Sequence, residues 1–329
     1  MSKSITAAAL PLLIFLLSGC ERLAFVAANV PTHFQHLSRS ANLVYEAQGR
    51  QRLDVYAPPG ATATPVILFL HGGGWNSGSK DEYRFIGATF AKQGWVTVIP
   101  DYRLYPKVRF PAFVEDAAAA LAWTRAHAAE HGGDPERIFL MGHSAGAHIA
   151  MMLALDRTFL AAQPPWLKGV IGLAGPYDFL PFTRPYMNDV FGPPERFASS
   201  QPINFARADA PPLLLIHGLA DTTVRPRNSR NLAARISALG GSAELRLYEG
   251  VDHGDILAAL SLPGRRRAPT LADVVRFVSV HSRPEPVLPE HRQLVSPTMD
   301  PPEPLTRSAQ HTRSSVASGP WRRARQPAS

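Results

Sequence analysis

Seven short runs of largely apolar residues recur between residues 41 and 282: "LDVYAP" from Leu53, "PVILFLHG" from Pro65, "WVTVIPDYR" from Trp95, "RIFLMGHS" from Arg137, "LKGVIGLAG" from Leu167, "PPLLLIHG" from Pro211 and "AELRLYEG" from Ala243. Most are apolar at consecutive rather than alternate positions, and a strand of that kind has to be covered on both sides. Helix-type stretches separate them, over residues 83–93, 113–131, 145–155 and 228–239. The second is alanine-rich and ends in two glycines, as a helix with a C-terminal cap does. The alternation predicts an α/β fold: a mostly parallel central sheet of about eight strands with helices on both faces, in one domain over residues 41–282. No internal repeat interrupts it.

The two ends of the chain read differently. Residues 7–17, "AAALPLLIFLL", follow Lys3 and precede "SGC". This run falls short of the roughly 20 apolar residues a membrane span needs, and it reads as the apolar centre of a signal peptide. Leu17, Ser18, Gly19 and Cys20 resemble a bacterial lipobox. The resemblance implies a signal peptide over 1–19, a lipid on Cys20, an anchor linker over 20–40 and an exported protein held on the cell envelope. Cys20 is the single cysteine, so no intramolecular disulfide is expected. Residues 283–329 hold nine prolines and show no apolar period, the composition of a disordered tail.

A net charge of +8 raises the question of a nucleic-acid partner. Part of the excess sits in that tail, where seven arginines face four acids, and part in the run Arg265 to Arg267. No basic stripe with interleaved aromatics exists, so a solvated basic surface is expected and nucleic acid is not.

The loop "HGGGWNSGSK", residues 71–80, could cradle either a phosphate or a developing oxyanion. In the best phosphate-loop alignment, Ser79 stands where the second glycine belongs, and Lys80 is followed by Asp81 rather than a hydroxyl residue. The dinucleotide pattern needs glycine at position 77 and meets Ser77. An oxyanion loop remains, and it requires a nucleophile elsewhere.

"RIFLMGHSAGAHIA" supplies one: Gly142, His143, Ser144, Ala145 and Gly146 form G-x-S-x-G between an expected strand and an expected helix. Such an elbow lifts the Ser144 hydroxyl above the sheet edge and leaves the Ala145 N–H at a helix start, aimed at an anion. A serine hydroxyl needs a base, and the base needs an orienting acid. After this type of elbow the acid and then the histidine follow later strands. Asp221 in "HGLADTTV" and His253 in "VDHGD" satisfy that order. Asp178 is the competing acid; Asp252 and Asp255 lie too close to His253 in sequence to orient its ring. His217 still belongs to a strand end and reads as structural.

With these blocks in place, residues 41–282 resemble the α/β-hydrolase superfamily, in particular hormone-sensitive-lipase-like and feruloyl-esterase-like carboxylesterases. "HGGGW", "DYRLYPKVRFPAFVEDAAAAL", "GGDPERIFLMGHSAGA", "HGLADTTV" and "DHGD" carry the likeness. It implies an oxyanion hole formed by the backbone N–H groups of Gly73, Gly74 and Ala145, with His71 holding the loop and Trp75 either packing or lining a pocket. The elbow carries His143 and Ala147 where the lipase group has aspartate and glycine, and only about 20 residues separate Cys20 from the first expected strand where that group has a helical N-terminal cap, so the resemblance is to compact esterases with a minimal cap. Residues 176–210 form an aromatic insertion in which Phe179, Phe182, Tyr186, Met187 and Phe191 either line an acyl or aryl pocket or cover apolar surface.

The reaction expected is hydrolysis of small-to-medium acyl or aryl esters through an acyl-enzyme, with no cofactor and no metal. The rivals are an arylformamidase-like amidohydrolase and, from another class, a non-catalytic binding module on the envelope. A prolyl-oligopeptidase-type peptidase is disfavoured, because the chain leaves no room for a second domain.

Overall fold

The computed structural model describes residues 23–282, apart from 36, 48 and 161–163. Cys20, the apolar run before it and the tail from residue 283 lie outside the described residues.

Eight strands form one sheet: β1 (Ser38–Val44), β2 (Arg52–Ala57), β3 (Thr64–Leu70), β4 (Val96–Pro100), β5 (Gly133–His143), β6 (Leu167–Leu173), β7 (Leu213–Gly218) and β8 (Ala243–Tyr248). Their order is β1-β2-β4-β3-β5-β6-β7-β8. Only β2 runs antiparallel to both of its neighbours; β3 to β8 are parallel throughout. This is the mostly parallel α/β sheet that the alternation of runs predicts, in the α/β-hydrolase arrangement that the resemblance implies.

Period-2 side-chain alternation explains why the parallel strands are apolar at every position. Along β3, Val66, Leu68 and Leu70 join one core cluster, while Ile67 and Phe69 join the other. Ile138 and Leu140 part from Phe139 and Met141 in the same way on β5, as Leu213 and Leu215 do from Leu214 and Ile216 on β7. Helices α3 (Ala112–His127), α4 (Ala145–Leu155) and α6 (Arg227–Ala238) add residues to the first cluster; α2 (Arg84–Ala91), α7 (His253–Ala258) and α8 (Thr270–His281) add to the second.

Where the structure differs from the sequence reading, the local signal is weak. β1 reads "SRSANLV" and is largely exposed at the sheet edge, so no apolar run announces it. The folded domain also starts before residue 41. Residues 23–29, here α1, are helical, and their inner side packs on the domain: the Phe25 ring lies 5.1 Å from Tyr83, and Asn29 bonds the Glu82 carbonyl and the Phe85 N–H. Within the segment expected as an anchor linker over 20–40, residues 23–35 are therefore folded, because Phe25 and Ala28 have apolar partners to cover. Helix α8 went unread although Val274, Phe277 and Val278 recur at helical spacing and are buried.

Candidate active site

β5 ends at His143 and α4 starts at Ala145, leaving Ser144 alone on the turn with φ +53° and ψ −120°. A non-glycine residue at positive φ is strained. Two glycines make the turn possible. A Cβ on Gly146 would lie 2.1 Å from the Leu70 carbonyl oxygen, and one on Gly142 would lie 2.3 Å from the Gly146 oxygen. Helix α4 can thus cross the ends of β3 and β5 only because both positions lack a side chain.

His253 opens α7, and the helix start is fixed by a capping box in which Asp252 and Asp255 bond each other's backbone N–H. That occupies both acids adjacent to His253. Asp178 accepts from Asn231 at 2.6 Å. Asp221 is the acid that meets His253, its Oδ2 lying 2.7 Å from Nδ1. On the other side of the ring, Nε2 lies 3.0 Å from Ser144 Oγ. An ionised carboxylate only accepts, so Nδ1 carries the proton and Nε2 presents its lone pair to the serine hydroxyl. That is the tautomer a general base requires.

Asp221 is fully buried and richly hydrogen-bonded. Oδ1 accepts the N–H groups of Thr223 and Val224, each at 2.9 Å. Burial alone would raise its carboxyl, yet hydrogen bonds from His217, His253 and the Val224 amide hold it well below the usual carboxylate range. His217 Nε2 lies 3.2 Å from Asp221 Oδ2 and 2.8 Å from the Val224 carbonyl, and Nδ1 faces Ser229 Oγ at 2.8 Å. Its strand position made it look structural, and the sequence held no sign that it supports the acid.

His143 is a second contributor the sequence reading passed over. Its ring is buried, Nε2 contacts the His253 carbonyl at 3.1 Å, and burial, with His253 adding to it, pushes its pKa down to about 3. A neutral His143 therefore donates from Nε2 and grips the backbone of His253.

The glycine loop lies against Ser144: a Cβ on Gly72 would sit 3.4 Å from Ser144 Cβ. Its amides are aimed by what holds its carbonyls. The Gly72 carbonyl receives His71 Nδ1 at 2.7 Å, and the Gly73 carbonyl receives Ser77 N, Asn76 N and Ser77 Oγ at 2.9, 3.1 and 2.8 Å. In a trans peptide the N–H points opposite to the carbonyl, so the Gly73 and Gly74 N–H groups face away from those partners. Gly73 and Gly74 both have positive φ, +119° and +56°. Ala145 N–H is the first of α4 and has no acceptor within the helix. His71 is fully buried, stacked 4.3 Å from Tyr102, and held neutral by burial with its pKa down at about 4. Tyr102 OH donates to the His71 carbonyl at 2.8 Å, so His71 steadies the loop as expected.

Trp75 turns out to be packing: it is buried, T-shaped on Phe191 at 4.8 Å, and donates from Nε1 to His148 Nδ1 at 3.3 Å. Phe191, a candidate pocket residue, is buried in the core, since α5 (Tyr186–Phe191) turns it inward onto Phe113 and His148. Phe179, Phe182, Tyr186 and Met187 remain half-exposed around it. Tyr186 reaches the glycine loop, its hydroxyl 3.3 Å from the Gly74 carbonyl. Among the described residues no cluster of His, Cys, Asp or Glu is arranged to hold a metal.

The BD-FAE family model matches residues 53–236 of this chain. The chain belongs to the BD-FAE family. Among curated proteins this BD-FAE chain is similar to the probable isoprenylcysteine alpha-carbonyl methylesterase ICMEL1 of Arabidopsis thaliana, 30% identical over 241 residues, covering 65% of this chain and 51% of that protein. It is also similar to Esterase LipC of Mycobacterium tuberculosis, 30% identical over 237 residues, covering 65% and 58%. The chain therefore spans about half or a little more of the length of these relatives. Among solved structures, the butyrate-bound esterase Est2 of the Planctomycetes species Thermogutta terrifontis is 26% identical with a TM-score of 0.57, covering 74% of this BD-FAE chain and 91% of the other. A truncated carbohydrate esterase from gut microbiota, 23% identical with a TM-score of 0.61 over 74% and 96%, shares the fold.

Proposed function

We propose that this protein is a serine carboxylic ester hydrolase acting on small-to-medium acyl or aryl esters. The observation that carries the reading is the unbroken relay from Asp221 through His253 to Ser144, at 2.7 and 3.0 Å, in a neutral tautomer able to take a proton. Curated relatives bearing esterase names, and Thermogutta structures with butyrate or propionate bound, support the substrate class.

Ser144 Oγ attacks the ester carbonyl carbon while His253 Nε2 takes the hydroxyl proton. The carbonyl oxygen becomes an oxyanion and receives the N–H groups of Gly73, Gly74 and Ala145. Collapse of the tetrahedral intermediate breaks the bond to the alcohol, which leaves with the proton from His253. Water, deprotonated by the same ring, then attacks the acyl-serine and regenerates Ser144. Asp221 stabilises the transient imidazolium and stays ionised, as its strongly hydrogen-bonded carboxylate favours.

The test is hydrolysis of p-nitrophenyl acetate, butyrate, octanoate and palmitate by the full chain, beside Ser144→Ala. Activity that falls with chain length and disappears in the mutant supports the reading. Rates equal to the mutant on every ester refute it, and turnover of N-formylkynurenine in their place makes the protein an amidohydrolase.

The same proposal places the protein on the cell envelope through a lipid on Cys20, on the strength of the apolar run at 7–17 and the Leu17-Ser18-Gly19-Cys20 pattern. Incorporation of labelled palmitate that Cys20→Ser abolishes is the expected result; equal label in both chains refutes the anchor.

A further inference from the structure

Residues 23–30, "LAFVAANV", contain no charged side chain. One side of this helix is accounted for: Ala28 is buried, Phe25 meets Tyr83 and Asn29 is tied to the domain. The outward side is also apolar. Leu23, Val26 and Val30 follow one helical face and are 69%, 59% and 51% exposed, and Ala24 and Ala27 between them are exposed too. A surface helix normally turns a polar face to water, and one apolar all round is normally covered all round. Among the described residues nothing covers the outward side.

The surroundings say what kind of cover fits. A crevice beside the helix runs from Ala28, Pro31 and Thr32 past Phe85 and Lys92 to Leu262 and Arg265. Leu262 is 54% exposed, extending the apolar face. Among the described residues Lys92, Arg265 and Arg266 belong to no ion pair, which leaves three cations at or next to the rim. An apolar helical face bordered by free cations matches a bilayer surface with acidic headgroups. Cys20 stands three residues before Leu23, and Ser18 and Gly19 separate it from the apolar run, so attachment there holds the helix within about 10 Å of the lipid.

We propose that the face formed by Leu23, Val26, Val30 and Leu262 rests on an anionic phospholipid surface. The inference rests on the anchor reading for delivery of the chain to the bilayer. It adds that the catalytic domain is seated in one orientation rather than swinging on a flexible tether, because α1 is packed against the domain on its other side.

The test places p-benzoylphenylalanine at Val26 of the full chain, with Asp209, an exposed residue far along the sequence, as the control position. Both chains are mixed with vesicles of equal parts phosphatidylglycerol and phosphatidylethanolamine, floated, irradiated and analysed by mass. The expected result is a phospholipid adduct at position 26, at least tenfold above that at 209. Removing a cation with Lys92→Gln or Arg265→Gln should lower the adduct about fivefold each, the value of one cation near an acidic surface, and vesicles of phosphatidylcholine alone should lower it further. Circular dichroism checks that each variant folds. A chain that floats while position 26 gives no more adduct than 209 overturns the face and leaves the anchor standing. A chain that does not float overturns both. An adduct to a second copy or to another polypeptide overturns the lipid assignment. The esterase assays report none of these outcomes, so the catalytic reading stands or falls apart from them.

Discussion

His217 and His253 share one acceptor: their rings bring Nε2 and Nδ1 to within 3.2 and 2.7 Å of Asp221 Oδ2. The hydrogen bond from His217 is one cause of the low Asp221 pKa. A carboxylate whose folded pKa is depressed contributes stability above its ordinary value near 3.9, and loses it as pH falls. His217→Phe shrinks the depression. Urea unfolding should then show a loss of about 1–3 kcal/mol at pH 7 and a shallower decline of stability below about pH 4. Looser positioning of Asp221 should lower kcat roughly tenfold while KM changes little. An unchanged kcat would show that His217 only packs.

Ser144 adopts φ +53°, a conformation glycine takes without strain. Ser144→Gly should abolish ester hydrolysis, by on the order of a millionfold in kcat. It should also raise stability by about 1 kcal/mol, or about 2–4 °C in Tm for a domain of this size. Calorimetry of both chains measures the second effect; a lower Tm in the glycine variant contradicts stored strain at the elbow.

Gly73 and Gly74 differ in what a methyl group would meet. At Gly73 the Cβ falls 2.2 Å from the Ser77 carbonyl oxygen, a backbone atom that cannot yield without opening the loop. At Gly74 it falls 2.7 Å from the Tyr186 hydroxyl, the far end of a side chain that can swing. Gly73→Ala should therefore cost about a hundred- to thousandfold in kcat, the size of a lost oxyanion donor. Gly74→Ala should recover part of its own loss when combined with Tyr186→Ala. Steady-state kinetics on the four chains decide whether the two glycines are inequivalent.

Three buried histidines set a pH dependence of stability. Burial lowers His71 and His148 to about 4 and His143 to about 3, while His131 and His281 shift in the same direction. An unfolded histidine takes up its proton near 6.5, so between about pH 6.5 and 5 the unfolded chain binds more protons than the folded one. Stability should fall as pH falls across that window, reaching roughly 4 kcal/mol per pH unit from the three buried rings near pH 5. Replacing His148 with Gln should remove about a third of the slope. Urea titrations at half-unit steps test it, and a flat profile over the window would refute it.

Lys80 is 2% exposed and pairs with Asp54 at 3.0 Å and Asp81 at 2.9 Å. Asp54 is fully buried and also takes Arg39 and the Asn42 N–H. Lys80→Met leaves that carboxylate short of one cation, and should cost about 3 kcal/mol in unfolding free energy. The double variant with Asp54→Asn should lose less than the two single changes together.

What could be read ahead of the structure follows from how local each signal is. The elbow at 142–146 was legible because strand end, glycines and helix start are contiguous. Helix α4 matched its expected range of 145–155, since its burial is continuous and its ends are set by Ser144 and Asp156. Strand β1 and helix α5 were not legible, since an exposed edge strand and a six-residue helix carry too few apolar positions to show a period. Residues 23–34 were assigned to a linker because the partners that hold them, Tyr83, Glu82 and Phe85, lie more than fifty positions away.

The sequence by itself determined the sheet and the strand–turn–helix setting of Ser144, because continuous apolar runs and a glycine-flanked serine constrain the chain within a few residues. Only the tertiary structure decided the rest: that Asp221 rather than Asp178 meets His253, that Trp75 and Phe191 are packing, and that His143 and His217 brace the site. The physical reason is distance. Ser144 and His253 stand 109 positions apart, and Asp221 and His253 stand 32 apart. Which side chains meet across such gaps depends on strand order and register, fixed by the burial of both sheet faces together and by no single segment.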